Sequence, residues 1–394
     1  MALELIDPYW EDWFELGLRW LHVVAGIVWI GTSFYFVALD NHLGRPRVAE
    51  PGVGGESWEI HGGGFYRISK YRVAPEELPE PLHWFKWEAY TTWLSGFGLL
   101  VVLYYANADT YLIDKSVADI PVAAAIAVSL IGLGAAWVVY DLACMVFKSD
   151  VVLGLLLLAM VVASAYGAGQ VFSGRAAYLQ VGGMLGTIMA ANVLFNIIPA
   201  HWELIRAKEA GREPDPAPAL EAKRRSVHNN YLTLPVVFTM ISNHFAFTYE
   251  HDHAWLVLVA LVLIGAWIRH FFNLRHAGRS VWWIPATALL AALGLAVAIR
   301  PDEGGGVPAS RVDERRALAI VKQRCVPCHS QNPTEEGYDA APAGVKFDTR
   351  EEIVAQADAI EEQAVRSQRM PLANVTGMTD EERETLGAWL DTVK

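Results

Sequence analysis

A chain of 394 residues is long enough for two or three domains. Hydrophobic residues make up 53% and charged residues 19%, with mean hydropathy +0.25, which excludes one uniform soluble domain. The formal net charge of −12 offers nothing to nucleic acid; an acidic surface serves solubility, or a basic redox partner.

The composition is split along the chain. Residues 16–300 carry long apolar runs, and residues 301–394 are polar and acidic. Residues 1–15 are acidic and aromatic, with Trp10, Trp13 and Phe14 suited to a membrane–water interface. No basic segment precedes the first apolar run, so no cleaved signal peptide is expected. Eight transmembrane spans are predicted, at 16–39, 84–105, 120–140, 151–172, 176–198, 231–247, 254–271 and 281–299. Residues 40–83 form a long polar connection in which the alternation over 64–73 predicts a strand or short hairpin.

The basic residues orient these spans. Connections 40–83, 141–150, 199–230 and 272–280 hold Arg45, Arg47, Arg67, Lys70, Arg72, Lys148, Arg206, Lys208, Arg212, Lys223, Arg224, Arg225, Arg275 and Arg279. The alternate connections, 106–119, 173–175 and 248–253, hold only Lys115 and Arg175. The N-terminus is therefore expected outside, and an even number of spans returns the C-terminus to the same side.

Residues 300–312, rich in Gly and Pro, read as a flexible linker. Residues 313–394 have the plan of a small cytochrome, with helices predicted at 313–324, at 350–368 and from Thr379. There Thr379-Asp380-Glu381-Glu382 is a capping box, and Leu386, Trp389, Leu390 and Val393 share one face.

Cys325-Val326-Pro327-Cys328-His329 carries the clearest chemistry. Two cysteines three apart with a histidine after the second form the attachment site of a c-type haem: two thioethers, and one axial imidazole. The other axial ligand is expected to be methionine. Met370, followed by Pro371 that keeps its loop out of helix, is preferred over Met378. A disulfide or dithiol is the alternative reading of the cysteines, but it needs neither His329 nor Met370. Bacterial c-type haem is attached outside the cytoplasmic membrane, which puts residues 313–394 in the periplasm, the side that the basic residues require independently. Cys144 reads as a packed thiol.

Polar groups inside a bilayer are costly and usually functional. His22 on the first span and His244 on the sixth are expected in the outer third, with Gln170 and Asn243 near that level and Asn192 nearer the middle. Glu88, Asp141, Asn196, His201 and His270 are expected toward the cytoplasmic ends. Two histidines at one depth on separate helices suit a b-type haem, a proton relay or a substrate grip.

Arg19 to Tyr35, the run Asn192 to Trp202 and Ser242-Asn243-His244-Phe245 resemble the bacterial membrane-bound urate oxidases, or urate hydroxylases, which carry a cytochrome c tail. The likeness covers essentially the whole chain. It implies an all-α protein: an eight-helix transmembrane bundle at 1–299, the linker at 300–312, and a periplasmic class I-like cytochrome c domain at 313–394. It implies oxidation of urate to 5-hydroxyisourate in the inner membrane. Electrons would pass to one covalent haem c, held by Cys325, Cys328, His329 and Met370, and on to an external cytochrome c or terminal oxidase of the respiratory chain. A haem b in the membrane domain is not expected. His22, His244 and Asn243 are the expected catalytic groups, with Trp29 and Phe245 nearby to stack the purine. The rival readings are a membrane electron-transfer protein fed by quinol or haem b, without purine chemistry, and a membrane redox sensor.

Overall fold

The computed structural model describes residues 8–300, 314–335, 338, 340–366 and 369–394. The linker expected at 300–312 lies almost wholly outside them. Helix α1 (Pro8–His42) has 35 residues. At 1.5 Å per residue it is about 52 Å long, well over the ~30 Å of a bilayer core. A β-hairpin follows, β1 (Val53–His61) and β2 (Gly64–Tyr71), antiparallel with His61 opposite Gly64. Gly62 and Gly63 turn it with φ of 56° and 82°, a pair of left-handed conformations that other residues rarely adopt. The strand expected at 64–73 is thus the second arm of a hairpin, the one departure from an all-α chain among the described residues.

Helix α2 (Trp87–Leu99) runs into a π-helical turn, Leu100–Tyr105, and then a short α3 (Ala108–Tyr111). Next come α4 (Val122–Val146), α5 (Asp150–Gly169) and α6 (Gly174–Ala191). Helix α6 continues through a second π-helical turn, Asn192–Ile197, into α7 (Ile198–Glu209). The span predicted to stop at 198 therefore runs on. Pro199 has no N–H to donate, and the wider turn before it gives its ring room without ending the helix.

Helix α8 (Pro216–Ile241) starts fifteen residues before the predicted span at 231–247 and ends six before its close. Asp215 caps it by accepting from the Ala217 N–H at 2.9 Å, and Pro216 takes its first position. Its far end gives way to a 3₁₀ turn, Ser242–His244, and a short α9 (Ala246–Tyr249). Then come α10 (Ala254–His276) and α11 (Trp283–Ala298).

Among the described residues, five helices are long and apolar enough to cross a membrane: Trp13–His42, Val122–Val146, Asp150–Gly169, Gly174–Glu209 and Ala254–His276. The other three predicted spans fall on α2 with its π turn, on α8 and on α11. Helix α8 carries Lys223, Arg224 and Arg225 in its first half, and α11 has only 16 residues.

Helix α6 is the centre of the bundle, buried along most of its length against α2, α4, α5 and α8. Gly182 lets it meet α8: a Cβ there would stand 2.1 Å from Thr239 Oγ1. Helices α1 and α10 run parallel on the other side of α8, with Phe34 against Arg269 and Asn41 against Asn273.

The tail has its own core. Helix α12 (Glu314–Arg324) packs on α15 (Asp380–Val393), burying Ala317, Val321, Leu386, Trp389 and Leu390. The capping box at Thr379 and Glu382 forms as expected. The single helix expected over 350–368 is divided into α13 (Arg350–Ala355), α14 (Ala357–Ile360) and a π-helical turn, Glu361–Arg366. It breaks where Gln356 leaves helical geometry at φ −111°, ψ 16°.

Candidate functional site

Helix α12 ends directly on the cysteine motif. Cys325 is buried and Cys328 half-buried, and no disulfide joins them. The His329 N–H donates to the Cys325 carbonyl at 2.8 Å, closing the motif into one turn. His329 Nδ1 lies 3.1 Å from the Val345 carbonyl. That carbonyl can only accept, so the proton sits on Nδ1 and the Nε2 lone pair is left for a metal. The Phe347 ring packs 5.2 Å from the imidazole. Two thiols and an imidazole with its tautomer set by the backbone fit a covalent haem.

Met378 is 3% exposed within the tail core, and Asn374 clasps its backbone through both the N–H and the carbonyl. Met370 is half-buried at the edge of that core. Its N–H donates to Gln363 O at 2.8 Å and its carbonyl accepts from Arg383 Nη1 at 2.7 Å, so its backbone is tethered. Of the two methionines, Met370 is the more accessible to an approaching iron.

In the bundle, His22 Nδ1 hydrogen-bonds the Thr92 carbonyl at 2.9 Å and lies 3.2 Å from Ser95 Oγ. The ring fills a notch at Gly96, where a Cβ would stand 2.7 Å from His22 Cε1. Asn243 is half-buried, and its Oδ1 is enclosed without a partner. His244 is exposed in the 3₁₀ turn beyond α8. Its carbonyl accepts from Arg369 Nη2 at 2.6 Å, so the residue next to Met370 is hydrogen-bonded to this end of the bundle.

No hydrogen bond or ring contact joins His22 and His244 among the described residues. Helix α8 stops at Ile241, so His244 lies past the helix end, while His22 faces the middle of α2. Trp29 packs into the core, and Phe245 is exposed. Gln170 caps α5; the His201 ring stands 6.3 Å from Trp84; Tyr231 OH bonds His270 Nδ1 at 2.7 Å. Glu88 Oε2 is enclosed and has no partner.

Asn192, Asn196 and Asp141 enter a network that sequence reasoning did not assemble. Arg225, counted above as a loop cation, is 2% exposed. It bonds Asp141 at 2.9 Å, Glu221 at 3.1 Å and Asn192 Oδ1 at 3.0 Å. Asn192 Nδ2 donates to Asn229 Oδ1 at 2.9 Å and to Tyr140 OH at 3.2 Å, and Tyr140 OH meets His228 Nδ1 at 2.8 Å. Beside it, an open cavity of about 370 Å³ is lined by Asn196, Glu203, Asp215 and Glu221. Its carboxylates repel an anion.

Arg269 was also passed over, although an arginine within the predicted span 254–271 was a readable signal. It is 3% exposed, its Nε donates to Asn230 Oδ1 at 2.8 Å, and its guanidinium lies 3.7 Å over the Phe34 ring.

The family model described as urate oxidase, N-terminal, matches residues 8–300, and the chain belongs to that family. No curated protein and no solved structure matches the chain.

Proposed function

We propose that this member of the urate oxidase N-terminal family is a multi-pass inner-membrane enzyme that oxidises urate to 5-hydroxyisourate. The family match carries the reading: it covers residues 8–300, the helical bundle, and so supports placing the purine chemistry there and electron transfer in the tail. The reaction balances as urate plus water giving 5-hydroxyisourate, two protons and two electrons. Haem c in the tail would supply a one-electron acceptor, with an external cytochrome c or terminal oxidase as the final acceptor. Cys325 and Cys328 would hold it covalently, and His329 and Met370 would ligate its iron. The backbone bond at His329 Nδ1 supports that assignment, because it aims Nε2 outward.

His22, Asn243 and His244 are the proposed acid–base and polar groups for the two protons. His244 lies at the end of the bundle to which Arg369 of the tail is bonded, and Asn243 offers an enclosed amide oxygen there. In this reading, all eight predicted spans cross the membrane, and the N-terminus and tail lie in the periplasm. The polar helix α8 then crosses within the shelter of its neighbours, and α11, 16 residues long, crosses beside α10.

Urate added to the purified full-length protein without oxygen should reduce haem c at a rate set by urate concentration. His244→Ala should slow that reduction by about 10²-fold or more, the usual loss on removing an acid–base group, with the haem spectrum unchanged. Wild-type haem that stays oxidised under excess urate rejects the enzyme; a His244→Ala protein of near-normal rate rejects only that residue's role.

A further inference from the structure

Two arginines are buried in the bundle, Arg225 on α8 and Arg269 on α10 against it, and their surroundings differ. Arg225 meets two carboxylates, Asp141 and Glu221, and an amide oxygen. Its charge is compensated inside the protein. Arg269 has no ion pair among the described residues. Its Nε is bonded to Asn230 Oδ1, but its Nη2 is enclosed and without a partner. Asn230 is 0% exposed, and its Nδ2 is likewise enclosed and unpartnered. The consecutive Asn229 and Asn230 explain the arrangement: Asn229 turns to α6, donating to Met189 O at 2.9 Å, and Asn230 turns to α10.

The chemistry of these groups restricts what completes them. A guanidinium keeps its proton in a protein interior, so Arg269 cannot shed its charge. An uncompensated buried cation and two orphaned donors are each costly. Arg269 Nε can meet only the oxygen of the Asn230 amide, so the amide orientation is set and its NH₂ stays free as a donor. Nη2 lies on the same edge of the guanidinium as Nε, beside that amide. The vacant valences are thus neighbouring donors around one positive charge, next to the Phe34 ring. They call for an anion with adjacent acceptor atoms, flat enough to lie beside stacked planar groups.

We propose that Arg269 and Asn230, in the seam of α1, α8 and α10, hold the acceptor edge of a planar purine anion, urate in this enzyme. This rests on the urate reading above and adds to it a binding site that the sequence had not indicated. Ala254 to Arg269 is 15 residues of α10, about 22 Å along its axis, so the anion sits deep in the bundle and away from His244. His22 and His244 then serve proton exit rather than substrate recognition.

The test uses the full-length, haem-loaded protein in detergent, reduced with ascorbate under argon so that binding is measured without turnover. Urate is the probe, followed by equilibrium dialysis and by thermal unfolding. Arg269→Gln and Asn230→Ala should each weaken urate binding by about tenfold or more, as loss of a charge-assisted hydrogen bond requires. Arg269→Met should raise the melting temperature of the urate-free protein, because it removes an unpaired buried charge, and should abolish the rise that urate produces. Arg225→Met should lower it, because Asp141 and Glu221 lose their partner. Normal urate binding by Arg269→Gln overturns the proposal, as does an Arg269→Met protein destabilised like Arg225→Met. The two readings separate cleanly. Arg269-dependent binding without haem reduction by urate rejects the enzyme and keeps the site. Urate-driven reduction with unaltered binding in Arg269→Gln rejects the site and keeps the enzyme.

Discussion

Met370 and Met378 are separated by eight positions, and their surroundings assign them different work. Met378 is buried in the same core as Val321, Phe347 and Leu386, 3% exposed. Met370 stands at the rim of that core, with only its backbone bound. Met370→Ala should therefore remove the weak sulfur–iron absorption band of the oxidised haem and lower its potential, with little change in unfolding. Met378→Ala should leave band and potential in place while costing the tail about 2–5 kcal/mol, the range for truncating a buried side chain. Redox titration and thermal unfolding of the two variants check this, and a larger spectral effect at Met378 would reverse the assignment.

Among the elements, the pairing of α12 with α15 governs the cysteine motif. Arg324, the residue before Cys325, bonds Glu382 at 3.0 Å through Nε, and its carbonyl accepts from Thr376 Oγ1 at 2.9 Å. Burial alone would raise the Glu382 carboxyl, but Arg324 and the Thr379 backbone N–H outweigh it and hold it below the usual range. A depressed folded-state pKa contributes stability that is present above the unfolded value near 4.5 and is lost as pH falls below it. Acid should therefore loosen the start of the haem motif before the rest of the tail. Glu382→Gln should be less stable than wild type at pH 7 and approach it below pH ~4, by thermal unfolding across that range. The same elements show what was legible. Glu382 three residues after Thr379 announced the cap of α15, and the long apolar runs announced α1, α4, α5, α6 and α10. The extent of α8 was hidden because its first half is polar. Of those polar residues, Arg225 is buried against Asp141 and Asn192, which are more than thirty residues away in the chain. Periodicity reads one helix at a time, and pairs such as Arg225–Asp141 exist only once helices are packed. For the same reason Cys325 to His329, contiguous in sequence, was readable, and Arg269 with Asn230 was not.

At the scale of the whole molecule, one end of the bundle collects the start of α1, the 3₁₀ turn with His244, the start of α10 and the tail. Within that half, the rings of Phe238, Tyr178 and Tyr249 stand 6.3 and 6.0 Å apart in succession, between the level of Asn230 and the tail. The opposite end carries the β-hairpin and the connection from α7 to α8. In the folded bundle Arg225 is paired with Asp141 and Glu221. Lys70 and Lys223 are also paired, both with Asp40, and Arg67 with Glu50 and Glu56. Lys208 and Arg212 are paired as well, with Glu213 and Glu203, and Arg45, Arg47, Arg72 and Arg206 lie at the same end; charge there resists translocation whether or not it later finds a partner. Fusions test the orientation directly. A reporter active only in the periplasm should work when joined after Lys394 and fail when inserted within 206–215, at the end of α7 and in its connection to α8. A cytoplasmic reporter should give the opposite pattern. Periplasmic activity from the 206–215 insertion would reverse the polarity of α7 and α8. The tail and His244 would then share a side that cannot receive covalent haem, and the proposed route from urate to haem c would fail with it.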